Sequence, residues 1–263
     1  MNILIVKLSA IGDVVHTLPA LSALRRLYPA ADITWVVEEA AADLLLDHPD
    51  LDRLLISRRK SWLKQLRRGE FAAPLRELRE FVRALRSRRY DLVIDFHGLL
   101  KSALIVALSG SRRRLGYDSL QEMSGLFYNE KIPEDMGKHA VDRYLDFVRH
   151  LAGDAHGRSG NLAAPPLFTI AAGREQENRV AAFLEEQAAL LRAGAGAEQG
   201  RSAAAESGEK PGLRFVAVNP VAFWETKLWE EGKFARLCDL IRSETGLPVV
   251  LTGSAAGPLD RIR

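Results

Sequence analysis

Cysteine is almost missing from this chain: one residue, Cys238, in 263. A single thiol closes no internal disulfide, so the fold must rest on its core, as suits a reducing compartment. Cys238 lies on the apolar side of FARLCDLI, a helix-like stretch, and is expected in the core. Long hydrophobic runs are missing too. The longest, Leu99–Leu108, is broken by Lys101 and falls well short of the roughly 20 residues that a spanning helix needs. Met1–Val6 runs straight into a strand-like stretch without the basic start or cleavage site of a secretory leader. The expected location is therefore the cytoplasm. No GxGxxG and no P-loop occur, and no aromatic platform interleaves the basic runs as in an RNA binder. A nucleic-acid-binding module is thus the weakest of the readings that the basic residues permit, and no nucleic-acid partner is expected.

What is present is ordinary globular material, 47% hydrophobic and 27% charged. The net charge is only +3, yet the pI is about 9.1 and the basic residues are bunched. SRRKSWLKQLRRG, residues 57–69, holds six Lys or Arg and no acid, and shorter runs lie at Arg86–Arg89 and Arg112–Arg114. Such patches suit a solvated helix face, an anionic membrane surface or a multiply charged small substrate.

Short unbroken apolar runs alternate with helical periodicity along the first half. NILIV, ITWVVEE, LDRLLIS and DLVIDF read as strands; VVHTLPALSALRRLYP, AAADLLLDHP, residues 74–88 and KSALIVALSG read as helices. Strands buried on both faces, with helices between, predict a doubly wound parallel sheet over residues 1–153, closed by KHAVDRYLDFVRHL. Residues 154–166 read as a linker. A second α/β domain, 167–263, is expected to open with LFTI as its first strand. A helix over 174–191, the strand LRFVAVNP, a helix over 231–244 and the strand PVVLTGS follow. Residues 192–212, low in complexity and without apolar periodicity, predict a flexible insertion. With so few strands, this second domain reads as truncated.

In a sheet of this kind ligands gather where strands give way to helices. The first such loop is KLSAIGD, residues 7–13. Gly12 permits close backbone approach, and the helix start favours an anion nearby. Asp13 is placed either to cap that helix or to take a proton from a hydroxyl. Local spacing alone leaves both roles open.

KLSAIGDVVHTLPAL, ITWVVEE, LVIDFHGLLKSA, SGLFYNEKI, KHAVDRY and NPVAFWETKLWEEGKFARL together resemble the heptosyltransferases of lipopolysaccharide core synthesis, glycosyltransferase family 9. The resemblance covers nearly the whole chain except residues 192–212. It implies the GT-B fold, two Rossmann-like domains facing each other across a cleft, the first for the acceptor and the second for the sugar nucleotide. It implies inverting transfer of L-glycero-D-manno-heptose from ADP-L-glycero-β-D-manno-heptose, without metal or cofactor, to the inner Kdo of Kdo2-lipid A. The VVEE and FYN segments favour that branch over one adding a later sugar to the core. By the same match Asp13 is the base, and Ser9, Gly12, His16, Arg58, Arg59, Lys60 and Lys64 bind the acceptor. Thr226 and Lys227 bind the donor diphosphate, where a cation stabilises the charge growing on the leaving oxygen. His16 is alternatively a packing histidine. Trp224 and Trp229 serve equally as a nucleotide wall or as packing. Trp62, Leu63 and Leu66, set among the cations, would let the basic segment rest on acyl chains. A monomer touching the inner face of the inner membrane is implied. The chain departs from the pattern in two ways: the family's Asp-Thr-Gly and His segment does not occur before Arg263, and Phe223 stands where relatives carry Arg or a small polar residue. A fragment that keeps acceptor binding without catalysis is the competing reading.

Overall fold

The computed structural model describes residues 1–119, 121–154, 165–194, 214–221 and 228–253. The chain divides into two compact units, Met1–Gly173 and Arg174–Arg263.

The first unit is built on six parallel strands: β1 (Asn2–Val6), β2 (Asp32–Glu38), β3 (Arg53–Ser57), β4 (Leu92–Asp95), β5 (Arg114–Tyr117) and β6 (Glu130–Ile132). They lie in the order β3-β2-β1-β4-β5-β6, that of a doubly wound Rossmann sheet. β1 is central, with Ile3 opposite both Ile33 of β2 and Leu92 of β4. Successive side chains on a strand point to opposite faces. Accordingly Ile3 and Ile5 join one core with Leu18, Leu21, Phe147 and Leu151, while Leu4 and Val6 join another with Phe81, Leu85, Ala103 and Val106. Both faces are covered, which is why NILIV shows no polar alternation. Helices α1 (Ile11–Leu27) and α5 (Ala140–Asp154) cover the first face; α3 (Ala72–Arg86) and α4 (Leu100–Ser109) cover the second, with the short α2 (Arg59–Arg67) packed on α3.

Three local expectations need correction, and one strand was not anticipated. AAADLLLDHP forms only a short 3-10 turn, Glu39–Leu44, with Ala41, Ala42 and Leu45 buried in the core and Leu44 packed against it. LFTI forms no strand; the Thr169 carbonyl accepts a hydrogen bond from His48 Nε2 at 3.0 Å. Strand β6 within FYNEKI is too short to show a period, and pairs with β5 through Tyr117 and Ile132. Trp62 is not available to a membrane: it is buried edge-on against Phe81, and its indole N–H donates to Glu77 Oε2 at 2.9 Å.

The second unit contains α6 (Arg174–Gly194), β7 (Val216–Val218), α7 (Glu231–Thr245) and β8 (Val249–Leu251), the two strands pairing in parallel with Val216 opposite Val249. Helix α7 ends on Gly246, whose φ of 68° is the left-handed stop that glycine tolerates. No residue of α7 is buried, so Cys238 is only partly covered, against the expectation of a core thiol. The insertion expected at 192–212 lies mostly outside the described residues.

Candidate functional site

The strand order reverses between β1 and β4: the chain moves outward to β2 and β3 on one side, then to β5 and β6 on the other. The loops leaving the carboxyl ends of these two strands therefore part and leave a crevice, the place where such sheets bind ligands.

After β1 the chain runs through Lys7, Leu8 and Ser9 into α1. Asp13 stands in the first turn of α1, half-buried, and its Oδ2 accepts a hydrogen bond from the Ala10 N–H at 3.2 Å. The carboxylate complements the positive end of the helix dipole and leaves its other oxygen for a ligand. A Cβ built on Gly12 meets nothing within 4 Å, so this side of the loop is open. His16, one turn on, packs edge-on against His139 with ring centroids 5.2 Å apart. Its Nδ1 is buried without a hydrogen-bond partner among the described residues.

Beneath the loop lies Lys7, 4% exposed, donating from Nζ to the Phe96 carbonyl at 3.1 Å and to Tyr144 Oη at 2.7 Å. Burial pulls its ammonium down to about 8, against the attraction of Asp13 and Asp95. Burial likewise pushes the Tyr144 hydroxyl up to about 12, so that it accepts from Lys7 as a neutral phenol. Nothing in KLSAIGD marked Lys7 as more than a polar loop residue, because its partners come from residues 96 and 144.

After β4 comes Asp95, fully buried, with Oδ1 accepting from the N–H groups of His97 and Gly98 and Oδ2 from Tyr128 Oη at 2.6 Å. Burial raises its carboxyl pKa, opposed by these donors. Its oxygens are spent on shaping the loop, which makes it a scaffold residue. His97 follows, its ring alongside the Ser9 backbone, with neither ring nitrogen in full hydrogen-bond geometry. Burial, then the charges of Lys101 and Lys7, press its pKa down to about 3, so the ring is neutral. Lys101, in the first turn of α4, reaches Ser9 Oγ at 3.4 Å. Burial lowers its pKa as well, opposed by Glu38 and more weakly by Glu122, with Arg59 and Lys60 adding repulsion.

The basic segment arrives from β3. Its residues are acid-free in sequence but not in space. Glu38, 3% exposed at the end of β2, binds Arg59 Nη2 and Lys60 Nζ, each at 3.0 Å, and Arg58 pairs with Glu39 at 3.2 Å. Burial pushes the Glu38 carboxyl up, but the combined pull of Lys60 and Arg59 outweighs it and the net shift is downward. Lys64 is exposed on α2 and joins none of these contacts. Ser9, Arg59 and Lys60 thus meet around Lys101 and His97, the latter two hidden in LVIDFHGLLKSA, while Arg58 sits at the rim. Thr226 and Lys227, with Phe223 and Trp224, lie outside the described residues. Trp229 is 59% exposed and packs against Phe234, with centroids 5.5 Å apart.

Residues 78–260 match the sequence model of glycosyltransferase family 9 (heptosyltransferase). The chain is similar to lipopolysaccharide heptosyltransferase 1 of Salmonella typhimurium strain LT2, 36% identical over 173 residues, covering 64% of this chain and 53% of that one. It is similar to lipopolysaccharide heptosyltransferase 1 of Pseudomonas aeruginosa PAO1 at 38% identity over 150 residues, 54% of this chain and 40% of that one. Among solved structures it superimposes on E. coli heptosyltransferase WaaC with ADP-2-deoxy-2-fluoro heptose at a TM-score of 0.69 and 26% identity, covering 97% of this chain and 70% of that one. The chain spans about half the length of the curated relatives it matches.

Proposed function

Since this chain belongs to glycosyltransferase family 9, the heptosyltransferases, and has their α/β, GT-B fold class, we propose that it transfers heptose from ADP-heptose to the inner Kdo of Kdo2-lipid A. The observation that carries this reading is Asp13, an accessible carboxylate at the reversal point of the sheet, beside a cluster of cations suited to an acidic acceptor.

In the proposed step an acceptor hydroxyl attacks the anomeric carbon of the heptose as Asp13 takes its proton. The new C–O bond forms while the bond from the anomeric carbon to the diphosphate oxygen breaks. ADP leaves with the electron pair, and the configuration inverts. A base on the acceptor side and a cation on the leaving side both act on charge that develops only in the transition state. Lys227, with Thr226, takes the leaving-group role in this proposal, and no metal ion or cofactor enters it. Transfer occurs at the cytoplasmic face of the inner membrane. What supports a membrane contact is that Leu63, Phe71, Leu75 and Leu78 are 40–60% exposed on α2, α3 and the turn between them, among Lys64, Arg67 and Arg68.

The branch that acts on the inner Kdo is preferred because the relatives at 36–38% identity are heptosyltransferase 1 proteins. The deciding experiment measures heptose transfer from ADP-heptose to Kdo2-lipid A, by this chain and by a version extended with the carboxyl-terminal segment of a full-length relative. Transfer that disappears with Asp13→Ala supports both reaction and base. An extended protein inactive on this acceptor but active on a heptosylated core reassigns it to a later step, and inactivity on both sinks the proposal.

A further inference from the structure

We propose that Lys7 is a positioning residue for Asp13: clamped beneath the loop by Phe96 and Tyr144, its ammonium holds the loop in place and keeps the Asp13 carboxylate ionised while an anionic acceptor occupies the crevice. This role deepens the transfer reading above and rests on it.

Lys7 is fixed at its backbone and at its tip. Its N–H donates to the Val36 carbonyl at 3.2 Å, and its carbonyl accepts from the Trp35 indole at 3.0 Å. Its Nζ donates to the Phe96 carbonyl and the Tyr144 hydroxyl. The ends of β1, β2 and β4 and the helix α5 are thereby tied together where the chain turns towards Asp13. The ammonium also lies over the Tyr144 ring, 4.6 Å from its centroid. Both acceptors of Nζ are neutral oxygens, although a buried ammonium is costly and a carboxylate partner would offset that cost far better. A charge kept in such a place acts at a distance.

The charged and titratable groups that face the ammonium are Asp13 of α1, Asp95 at the end of β4, His97 in the loop after it, Lys101 of α4, and Arg143 and Tyr144 of α5. Lys101 and Arg143 repel it, and Arg143 is itself paired with Glu134 at 3.0 Å. The attraction comes from Asp13 and Asp95. Asp95 is already held by the N–H groups of His97 and Gly98 and by the Tyr128 hydroxyl. That leaves Asp13 as the carboxylate on which the charge of Lys7 acts. An anionic acceptor beside Asp13 favours its protonation, because like charges oppose ionisation. Arg58, Lys60 and Lys64 are exposed, so the same acceptor would neutralise them. Lys7 is 4% exposed behind the buried rings of Phe96 and Tyr144, out of the acceptor's reach, and its charge remains for Asp13.

The first test needs no turnover. In the 263-residue chain with isotope-labelled lysine, the Lys7 Cε resonance, identified by its loss in Lys7→Arg, is followed with pH by NMR. The wild type should release the Lys7 proton at about 8. Coupling is reciprocal, so Asp13→Asn, which removes an attractive charge, should lower that midpoint by about half a pH unit or more. An unchanged midpoint overturns the proposal. The second test uses the extended protein. Its kcat/KM for Kdo2-lipid A should fall as pH rises through about 8, where Lys7 loses its charge. Lys7→Met should lose this basic limb and lower kcat about tenfold or more, with KM within about threefold of the wild type. A Lys7→Met enzyme that keeps kcat and the limb, or that changes KM alone, overturns the proposal. Should Lys7→Met not fold, as judged by loss of its cooperative thermal transition, Tyr144→Phe takes its place. That variant removes one acceptor of Nζ, so the Lys7 midpoint and the basic limb should move down in pH together; a limb that stays where it was overturns the proposal. Coupled midpoints with no transfer by the extended wild type would sink the heptosyl transfer and leave the coupling standing, and an active enzyme with uncoupled midpoints would do the reverse.

Discussion

Asp13 illustrates how a residue can have two roles that one substitution tells apart. As a cap it needs an acceptor oxygen for the Ala10 N–H, and asparagine supplies one about equally well. As a base it needs a proton affinity that an amide lacks. Asp13→Asn should therefore leave the melting temperature near that of the wild type while lowering the heptose transfer rate about 10²–10⁴-fold; full transfer by the variant would make Asp13 a cap only. Lys7 gives a different test. Its folded pKa of about 8 lies below the ordinary 10.5, so between these values the unfolded chain holds a proton that the folded one has released. The unfolded state then binds more protons, and stability rises with pH across that window. Relative to Lys7→Met, the wild type should gain about 2 kcal/mol between pH 7 and pH 10, read from urea unfolding at each pH. An unchanged gap would mean that the ammonium is not strained by burial. Asp13 was legible from KLSAIGD; Lys7, His97 and Lys101 were not, since what distinguishes them is partners about 90 or more residues away.

The elements around the site were mostly readable, since strands covered on both faces leave unbroken apolar runs and helices with one buried face keep a period of 3.6. The exceptions are instructive. The SRRKSWLKQLRRG segment looked like an uncompensated basic helix, but Glu38 and Glu39 from the end of β2 take three of its cations. Arg86 and Arg113 likewise are not free charges: Arg86 donates to the Leu108 carbonyl and Arg113 pairs with Glu130. Strand β5 carries a constraint that its sequence hid. A methyl group added at Gly116 would overlap the ring of Tyr128, whose hydroxyl is fixed by Asp95. The ring cannot swing away without leaving a buried carboxylate short of a donor. Gly116→Ala is therefore expected to cost about 1–3 kcal/mol in chemical denaturation, the range for overpacking. Tyr128→Phe combined with Gly116→Ala should not restore it, because the ring remains in place and Asp95 loses its partner. Recovery of wild-type stability in the double variant would contradict this account.

At the scale of the whole molecule, charge pairing sets the response to acid. Glu38 is drawn below its ordinary value by Lys60 and Arg59 and Asp146 by Lys138 and Arg149, each against opposing burial; Glu130 is lowered first by Arg113. A carboxyl with a depressed folded pKa contributes stability that is fully present above its unfolded value. That contribution is lost as pH falls through the folded one. The unfolded values here are 4.5 for the glutamates and 3.8 for the aspartate. The melting temperature should therefore hold from pH 7 to about 5 and fall steadily below 4.5. Glu38→Gln should flatten part of that fall, and a melting temperature that rises on acidification would refute the pairing argument.

The α/β class, the sheet of the first unit and the position of Asp13 followed from the sequence, because unbroken apolar runs between amphipathic helices admit few arrangements other than a covered parallel sheet. The strand order, the short β6 and the irregular course of Leu167–Ile170 were decided by tertiary packing. So was the electrostatics of the crevice. Which acid meets which base there depends on the ends of β1, β2, β3 and β4 lying side by side, and no local window of sequence holds residues 9, 38, 59 and 101 together.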